Sequence, residues 1–430
     1  MQHISTSLYK AKYWRIIVPM ALLMIFSGAV KAQQGSFAIS GKVVSADDHQ
    51  PLPRASVRIG NTGIGTATNA SGMFALIVPA ANANDTLKIS SIGLKTQMLP
   101  LSSLRDAVDR TFELEKSSRE LGEVTIVYYD ADKILQKAIS RIPENYINHG
   151  HILRGFYRLY AFNDKGPLQL SEAVFDVYNF GYADARADQF KLVRARNEKN
   201  DRDFSFVELG QRPNSVFEED IINHRPASGF LSDEGIKKHK FEVTDVVDFE
   251  GHEAYQVDFK EKPGEKDEIY RGRIYIDKKT DAFIYFDFTP SPSQEGDMGL
   301  NGFIKRSIVR MSNLGMTMKQ SHTIVGYQQI GQEWVLSSVS GDHLLYLDAP
   351  AQNAEMDASI KFNYQVTSVD TAAKESFSSA LSRNDNINAH SSDVSSKFWK
   401  DYNILLSDYD TEGIFKQLQE INKSMKEKSK

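Results

Sequence analysis

From Arg154 to Val366 the apolar residues of this chain recur on a two-residue beat, and that period constrains the fold more than any other feature. Successive side chains of a strand point to opposite faces of a sheet, whereas a helical stripe would repeat every three to four residues. Tyr255, Val257 and Phe259 share one face of such a strand, with Gln256, Asp258 and Lys260 on the other. Gly272 to Asp277 and Phe283 to Phe288 flank the polar turn Lys278–Asp281 and predict a hairpin, and Gly331-Gln332 predicts another between Ile330 and Trp334. Phe303 to Met311, Thr323 to Ile330, Trp334 to Leu347 and Ile360 to Val366 continue the beat. Residues 151–370 are therefore expected to form a large antiparallel sheet. One helix should pack on it: Asp130 caps the run to Ile142, with Ile134, Leu135, Ala138, Ile139 and Ile142 on one side and Pro143 as the stop.

The N-terminus reads as an export signal. Lys10, Lys12 and Arg15 precede an apolar run from Ile16 to Ala29, and Val30 and Ala32 set a cleavage site before Gln33. The run is shorter than the ~20 residues that span a bilayer. Residues 1–32 hold four basic and no acidic residues, so the mature chain carries 47 basic against 56 acidic, a net charge of −9. That sign argues against a nucleic-acid partner. The chain has no cysteine, which removes disulfides, thiol nucleophiles, cysteine zinc sites and a lipid-modified cysteine together. Localisation is expected in the periplasm or on the cell-envelope surface, with no transmembrane span after cleavage.

Between Phe37 and Leu114 short strands alternate with turns: Phe37–Val44, Ala55–Ile59, Met73–Val78, Leu87–Ile92 and Arg110–Leu114. This spacing predicts a β-sandwich. Gly41-Lys-Val-Val44, then Pro51-Leu-Pro-Arg-Ala-Ser-Val57, then Gly65 to Leu76 resemble the carboxypeptidase regulatory-like domain over residues 36–116. The resemblance implies a transthyretin-like, seven-strand-type sandwich that is common on exported proteins of Bacteroidetes-type bacteria and is not itself catalytic. Arg54 stands where the family usually has glycine. Residues 117–150, with Leu121–Val127, read as a connecting strand and helix. Gly272-x-Ile-Tyr-Ile-Asp277 resembles the half-barrel of periplasmic lipoprotein carriers, and Phe398-Trp-Lys-Asp-Tyr-Asn403 resembles the close of uncharacterised Bacteroidetes proteins with the same first module. Residues 371–430 read as a polar, mobile loop (Lys374 to Lys397) and a C-terminal helix with Ile414, Phe415, Leu418 and Ile421 on one face. The fold class expected is mainly β with an α+β second domain: the sandwich, then a curved antiparallel sheet packed on one helix.

Candidate chemistry is sparse. His239 and Glu242 match the His-x-x-Glu spacing of zinc carboxypeptidases, but on a strand a separation of three puts them on opposite faces. His149 and His151 lack a third ligand nearby. Glu218-Glu-Asp220 and Asp267-Glu268 read as solvated loops without a calcium-loop pattern. No catalytic residue, metal or cofactor is expected. Aromatic residues are instead dense along the sheet, and most serve its core. Phe156, Tyr160, Phe175, Tyr178, Tyr255, Tyr275 and Tyr285 are the candidates for lining an apolar cavity that takes a lipid or peptide. The functional expectation is a non-catalytic envelope protein that binds a hydrophobic ligand or docks on an envelope partner. The rivals are a metallopeptidase-like hydrolase with the sandwich as accessory, and a structural partner of an outer-membrane receptor assembly. Expressed with export machinery, the protein should begin at Gln33; an intact mass that retains residues 1–32 would contradict the signal assignment.

Overall fold

The computed structural model describes residues 35–105, 109–117, 129–209, 217–265, 270–291, 308–311, 314–374, 376–378, 380–382, 385–392, 397–400 and 402–428. The signal segment, Leu121–Val127, Asp267-Glu268 and the start of the Phe303–Met311 run lie outside these residues. The first seven strands are β1 (Ser36–Ser45), β2 (Ser56–Ile59), β3 (Gly65–Ala67), β4 (Met73–Pro79), β5 (Thr86–Ser90), β6 (Gln97–Pro100) and β7 (Arg110–Leu114). They form two sheets, β4-β1-β7 and β3-β2-β5-β6. Phe74, Leu76 and Val78 are fully buried at two-residue spacing along β4 and meet Val57, Ile59, Leu87 and Ile89 of the other sheet. The turn spacing predicts such a sandwich, and its seven strands agree with the number the family resemblance implies.

Helix α1 (Ala131–Ser140) and the short α2 (Ile142–Asn145) lead to the second assembly. Asp130 caps α1 by accepting the Lys133 amide, as its position implies. Twelve strands follow: β8 (His151–Asn163), β9 (Gly166–Asn179), β10 (Gln189–Lys199), β11 (Val207–Leu209), β12 (His239–Phe249), β13 (His252–Glu261), β14 (Tyr270–Asp277), β15 (Phe283–Pro290), β16 (Ile308–Met311), β17 (Gly315–Ile330), β18 (Glu333–Ala349) and β19 (Ala354–Asp370). Two further α-helices are α3 (Asp233–Lys238) and α4 (Thr411–Lys428). Ten strands make one antiparallel sheet in the order β10-β9-β8-β19-β18-β17-β15-β14-β13-β12, while β11 pairs only with β16. Both predicted hairpins are present, with Asp281 and Gly331 in the left-handed conformation their turns need.

This order starts the sheet in its middle. β8 to β10 run out to one edge, the chain then crosses to β12 at the other, and the meander returns until β19 pairs with β8. The described residues of the crossing, 200–209 and 217–238, pack on one face of the sheet. Phe204, Phe217, Ile222, Phe230 and Leu231 are all buried in the same core as the strands. The Phe217 ring lies 6.0 Å from Phe175 and 5.0 Å from Tyr364, and Phe230 lies 4.6 Å from Phe259 and 4.9 Å from Phe288. Gly155 leaves the room that Tyr364 uses: a Cβ there would come within 2.2 Å of its ring. Leu135 and Ala138 of α1 join the same core. The face thus carries a helix and a long crossing segment, where the sequence pattern had pointed to one helix.

Asp220 pins the crossing. It is buried, so the solvated-loop reading of Glu218–Asp220 does not hold for this residue. Tyr327 Oη donates to its Oδ1 at 2.6 Å and Tyr182 Oη to its Oδ2 at 3.1 Å, while the Ile222 amide donates to Tyr327 Oη at 3.1 Å. Burial raises the carboxyl's pKa, and the hydrogen bonds from the tyrosines act against that rise. The stretch read as a mobile loop also has partners: Leu381 and Ser392 donate backbone hydrogen bonds to Phe190 and Ala195 of the edge strand β10, and Ile387 is buried. Replacing Asp220 by alanine would leave two buried hydroxyls without their acceptor, at about 1–3 kcal/mol each. Asp220→Ala should therefore lower the urea midpoint sharply and Asp220→Asn, which keeps an acceptor, less so; an unchanged midpoint in the alanine variant would show that the crossing is held elsewhere.

Candidate functional site

The other face of the sheet receives the sandwich. Arg58 of β2 is buried at that junction, where it donates to Gln328 Oε1 at 2.7 Å and pairs with Glu250. The Gly93 amide donates to the Asp248 carbonyl at 2.7 Å. A C-terminal strap ties the two parts together. Asn403 accepts from the Ile77 amide at 2.6 Å and donates to its carbonyl at 3.2 Å. Asp408 accepts from the amides of Ala70 and Ser71 at 3.1 and 3.0 Å, and Asn69 donates to the Ser407 carbonyl at 3.1 Å.

The strap is anchored on the sheet at both ends. Trp399 packs on Phe156 and Val174, and Phe415 and Leu418 of α4 pack on Leu170. Beneath them Glu172 is fully buried and takes hydrogen bonds from Arg158 at 2.5 Å and Arg196 at 2.7 Å. The Arg196 guanidinium lies 4.6 Å from the Trp399 ring and 4.5 Å from Phe415, and it reaches Glu412 at 2.7 Å. Buried charges are tolerated only when paired and hydrogen-bonded in this way.

Between the sandwich, the strap and the sheet lies a cleft of about 510 Å³. Its floor is the polar beat of the central strands together with Tyr160, Phe162 and Tyr285; its walls are Pro53 and Arg54 on one side and Leu405 to Tyr409 on the other. The Tyr160 ring stands 4.9 Å from Phe162 and 4.4 Å from Tyr409. Burial pushes the Tyr285 and Tyr409 hydroxyls above their ordinary pKa, so both rings stay neutral at physiological pH. Arg54 Nη2 is 3.5 Å and Lys361 Nζ 3.9 Å from the same carboxylate, Asp342. A smaller pocket of about 200 Å³ shares Arg54, Tyr285 and Ile324 with the cleft and holds the His322–Asp287 hydrogen bond of 2.6 Å. The site offers aromatic surface beside charge, which suits binding.

Of the seven aromatic residues singled out in the sequence, the structure brings Tyr160 and Tyr285 together in this cleft. Phe156 lies beneath Trp399, and Phe175 packs among Tyr364 and Phe217 on the filled face. Tyr178 meets Phe180 and Phe377, Tyr255 meets Tyr129, and Tyr275 packs on Tyr285 and donates to Gln256. Phe162 belongs to the same aromatic-dense run but is not among the seven, and Arg54, Asp342, Lys361 and Tyr409 are not read as site residues in the sequence. Only Arg54 left a signal there, as an arginine in place of glycine.

The hydrolase candidates are occupied elsewhere. His239 Nδ1 bonds the Gly235 carbonyl at 2.7 Å and its Nε2 accepts from the Tyr270 amide at 3.2 Å, so neither ring nitrogen is available to a metal. Glu242 is exposed and pairs with Lys240. His151 is buried at the start of β8, and burial pulls its pKa down to about 4. His149 is exposed beside Glu333. No group of three or more potential metal ligands is found among the described residues, and no described helix is long and apolar enough to cross a membrane.

The sandwich is the part of the chain with a recognisable family: residues 39–126 match the CarboxypepD_reg-like domain. No curated protein matches the chain. Among solved structures, the chain is similar to a DUF1329 family protein from Desulfovibrio piger at 9% identity, over 58% of this chain and 96% of that one, with a TM-score of 0.23. It is also similar to lipovitellin, at 8% identity over 55% of this chain and 27% of that one, with a TM-score of 0.24. A LolA superfamily protein from Nitrosomonas europaea is similar at 8% identity, over 58% of this chain and 96% of that one, with a TM-score of 0.19.

Proposed function

We propose that this chain is an exported, non-catalytic binding protein of the cell envelope whose cleft between sandwich and sheet holds a hydrophobic ligand. The observation that supports it is the tyrosine-rich floor at Tyr160, Phe162 and Tyr285, roofed by the strap at Tyr409. At about 510 Å³ the cleft falls within the range of small-molecule sites, roughly 300–1,000 Å³. The aromatic rings on the opposite face are packed against the crossing segment, whereas Tyr160, Phe162 and Tyr285 line open volume in the cleft. The sandwich then acts as a wall of the binding site, held by Arg58 and the strap.

Ser340 lies in the cleft on β18, where an indole would occupy the ligand's volume. The neutral dye N-phenyl-1-naphthylamine should brighten on binding the mature protein. Ser340→Trp should weaken that binding by about tenfold or more, with the urea midpoint retained. Tyr160→Ala, which removes floor without adding bulk, should also weaken it. Undiminished dye binding by both variants would place the hydrophobic site elsewhere and refute the proposal.

A further inference from the structure

We infer that the cleft selects an anionic amphiphile, with Arg54 and Lys361 taking its carboxylate or phosphate head and the tyrosine floor taking its alkyl chain. This deepens the proposal above and rests on it. The first observation is the charge of the lining. Arg54, Arg158 and Lys361 face the cleft with Asp342 and Asp408. Arg158 is committed to Glu172 and to the Leu405 carbonyl, and Asp408 to two backbone amides of the sandwich. Arg54 and Lys361 share the nearest carboxylate, Asp342, at 3.5 and 3.9 Å, distances at the loose end for charge-assisted pairs. An anion arriving between Arg54 and Lys361 would accept closer hydrogen bonds from both. Lys361 Nζ lies 6.0 Å from the centre of the Phe162 ring, so the head site adjoins the apolar floor.

The second observation is conformational and independent of charge. Arg54 has φ +58°, in the left-handed region that a bulky side chain enters at a cost and glycine enters freely. Its side chain is 42% exposed, and its ion pair is to the partly exposed Asp342. Strain kept at a position with so little structural return is the pattern found at ligand sites.

The backbone argues for an alkyl chain over a peptide. The floor strands β17, β18, β19 and β8 are interior to the sheet, and their amides and carbonyls are spent in the ladders on either side. A peptide lying on that face could not add as a strand, because strand addition needs a free sheet edge. An alkyl chain asks for no hydrogen bonds and is satisfied by ring surface.

The test is displacement of N-phenyl-1-naphthylamine from the full mature chain by dodecanoate, dodecyl phosphate, dodecanol and inorganic phosphate. Dodecanoate and dodecyl phosphate should displace the dye at about tenfold lower concentration than dodecanol, and inorganic phosphate should leave it bound. A preference between the two anionic chains identifies the head group, and either preference supports the inference. Arg54→Gly and Lys361→Gln should abolish the advantage over dodecanol, whereas Asp342→Asn should enlarge it. Arg54→Gly should at the same time keep or raise the urea midpoint, a result a structural role for Arg54 would not give. If dodecanol competes as well as dodecanoate, the cleft binds chains without reading charge and this inference falls while the proposed function stands. If no amphiphile displaces the dye, both fall. If Arg54→Gly lowers the midpoint and weakens every ligand equally, Arg54 is structural and the inference is wrong.

Discussion

The crossing from β10 to β12 is the constraint on which the rest of the structure depends. A sheet that begins at an inner strand must return to its far edge, and the residues that make the return need somewhere to bury their own apolar side chains. Here they are buried on one face of the sheet, where Phe204, Phe217 and Phe230 take the place a ligand would need. Asp220 fixes the depth of that segment by collecting the hydroxyls of Tyr182 and Tyr327. With one face consumed in this way, open volume is left on the other, where the sandwich and the strap enclose the cleft proposed as the binding site.

That second face is held by polar contacts of a different kind. The sandwich contributes Arg58, which reaches Gln328 on the sheet 270 positions away, and a few backbone groups; the C-terminal segment contributes Asn403 and Asp408, which reach the sandwich across more than 300 positions. Under the strap, Glu172 is compensated by two arginines, one of them stacked between Trp399 and Phe415. The charge cluster gains its geometry from β8, β9 and β10 and its cover from the C-terminus. Wall and floor of the cleft are therefore built from the two ends of the chain and the middle at once.

The sandwich, both hairpins and the cap at Asp130 were legible because each is local: an alternation, a turn or a capping oxygen within a few residues. The pairing of β19 with β8 was not, since nothing in either strand announces a partner some 200 residues away. β9 carries Glu172 in a strand buried along nearly its whole length, and no periodicity distinguishes a paired buried carboxylate from an exposed one. The crossing escaped for the same reason, because Phe204, Phe217 and Phe230 are too widely spaced to form a pattern. Aromatic density along the strands does not say which face a ring takes: Tyr160 and Tyr285 lie along the cleft, whereas Phe175 faces the crossing. Lys361 and Asp342 carry no sequence signal of their own, and the fold brings them together with Arg54.

The central claim, that ligand enters the cleft and not the face filled by the crossing, can be measured by amide hydrogen exchange on the mature chain with and without bound N-phenyl-1-naphthylamine. Protection should rise at 67–70 and 405–409, the loop and strap that wall the cleft, and stay constant through 217–231. Protection that changes chiefly at 217–231, with the walls unaffected, would mean that the ligand displaces the crossing segment and would contradict the account.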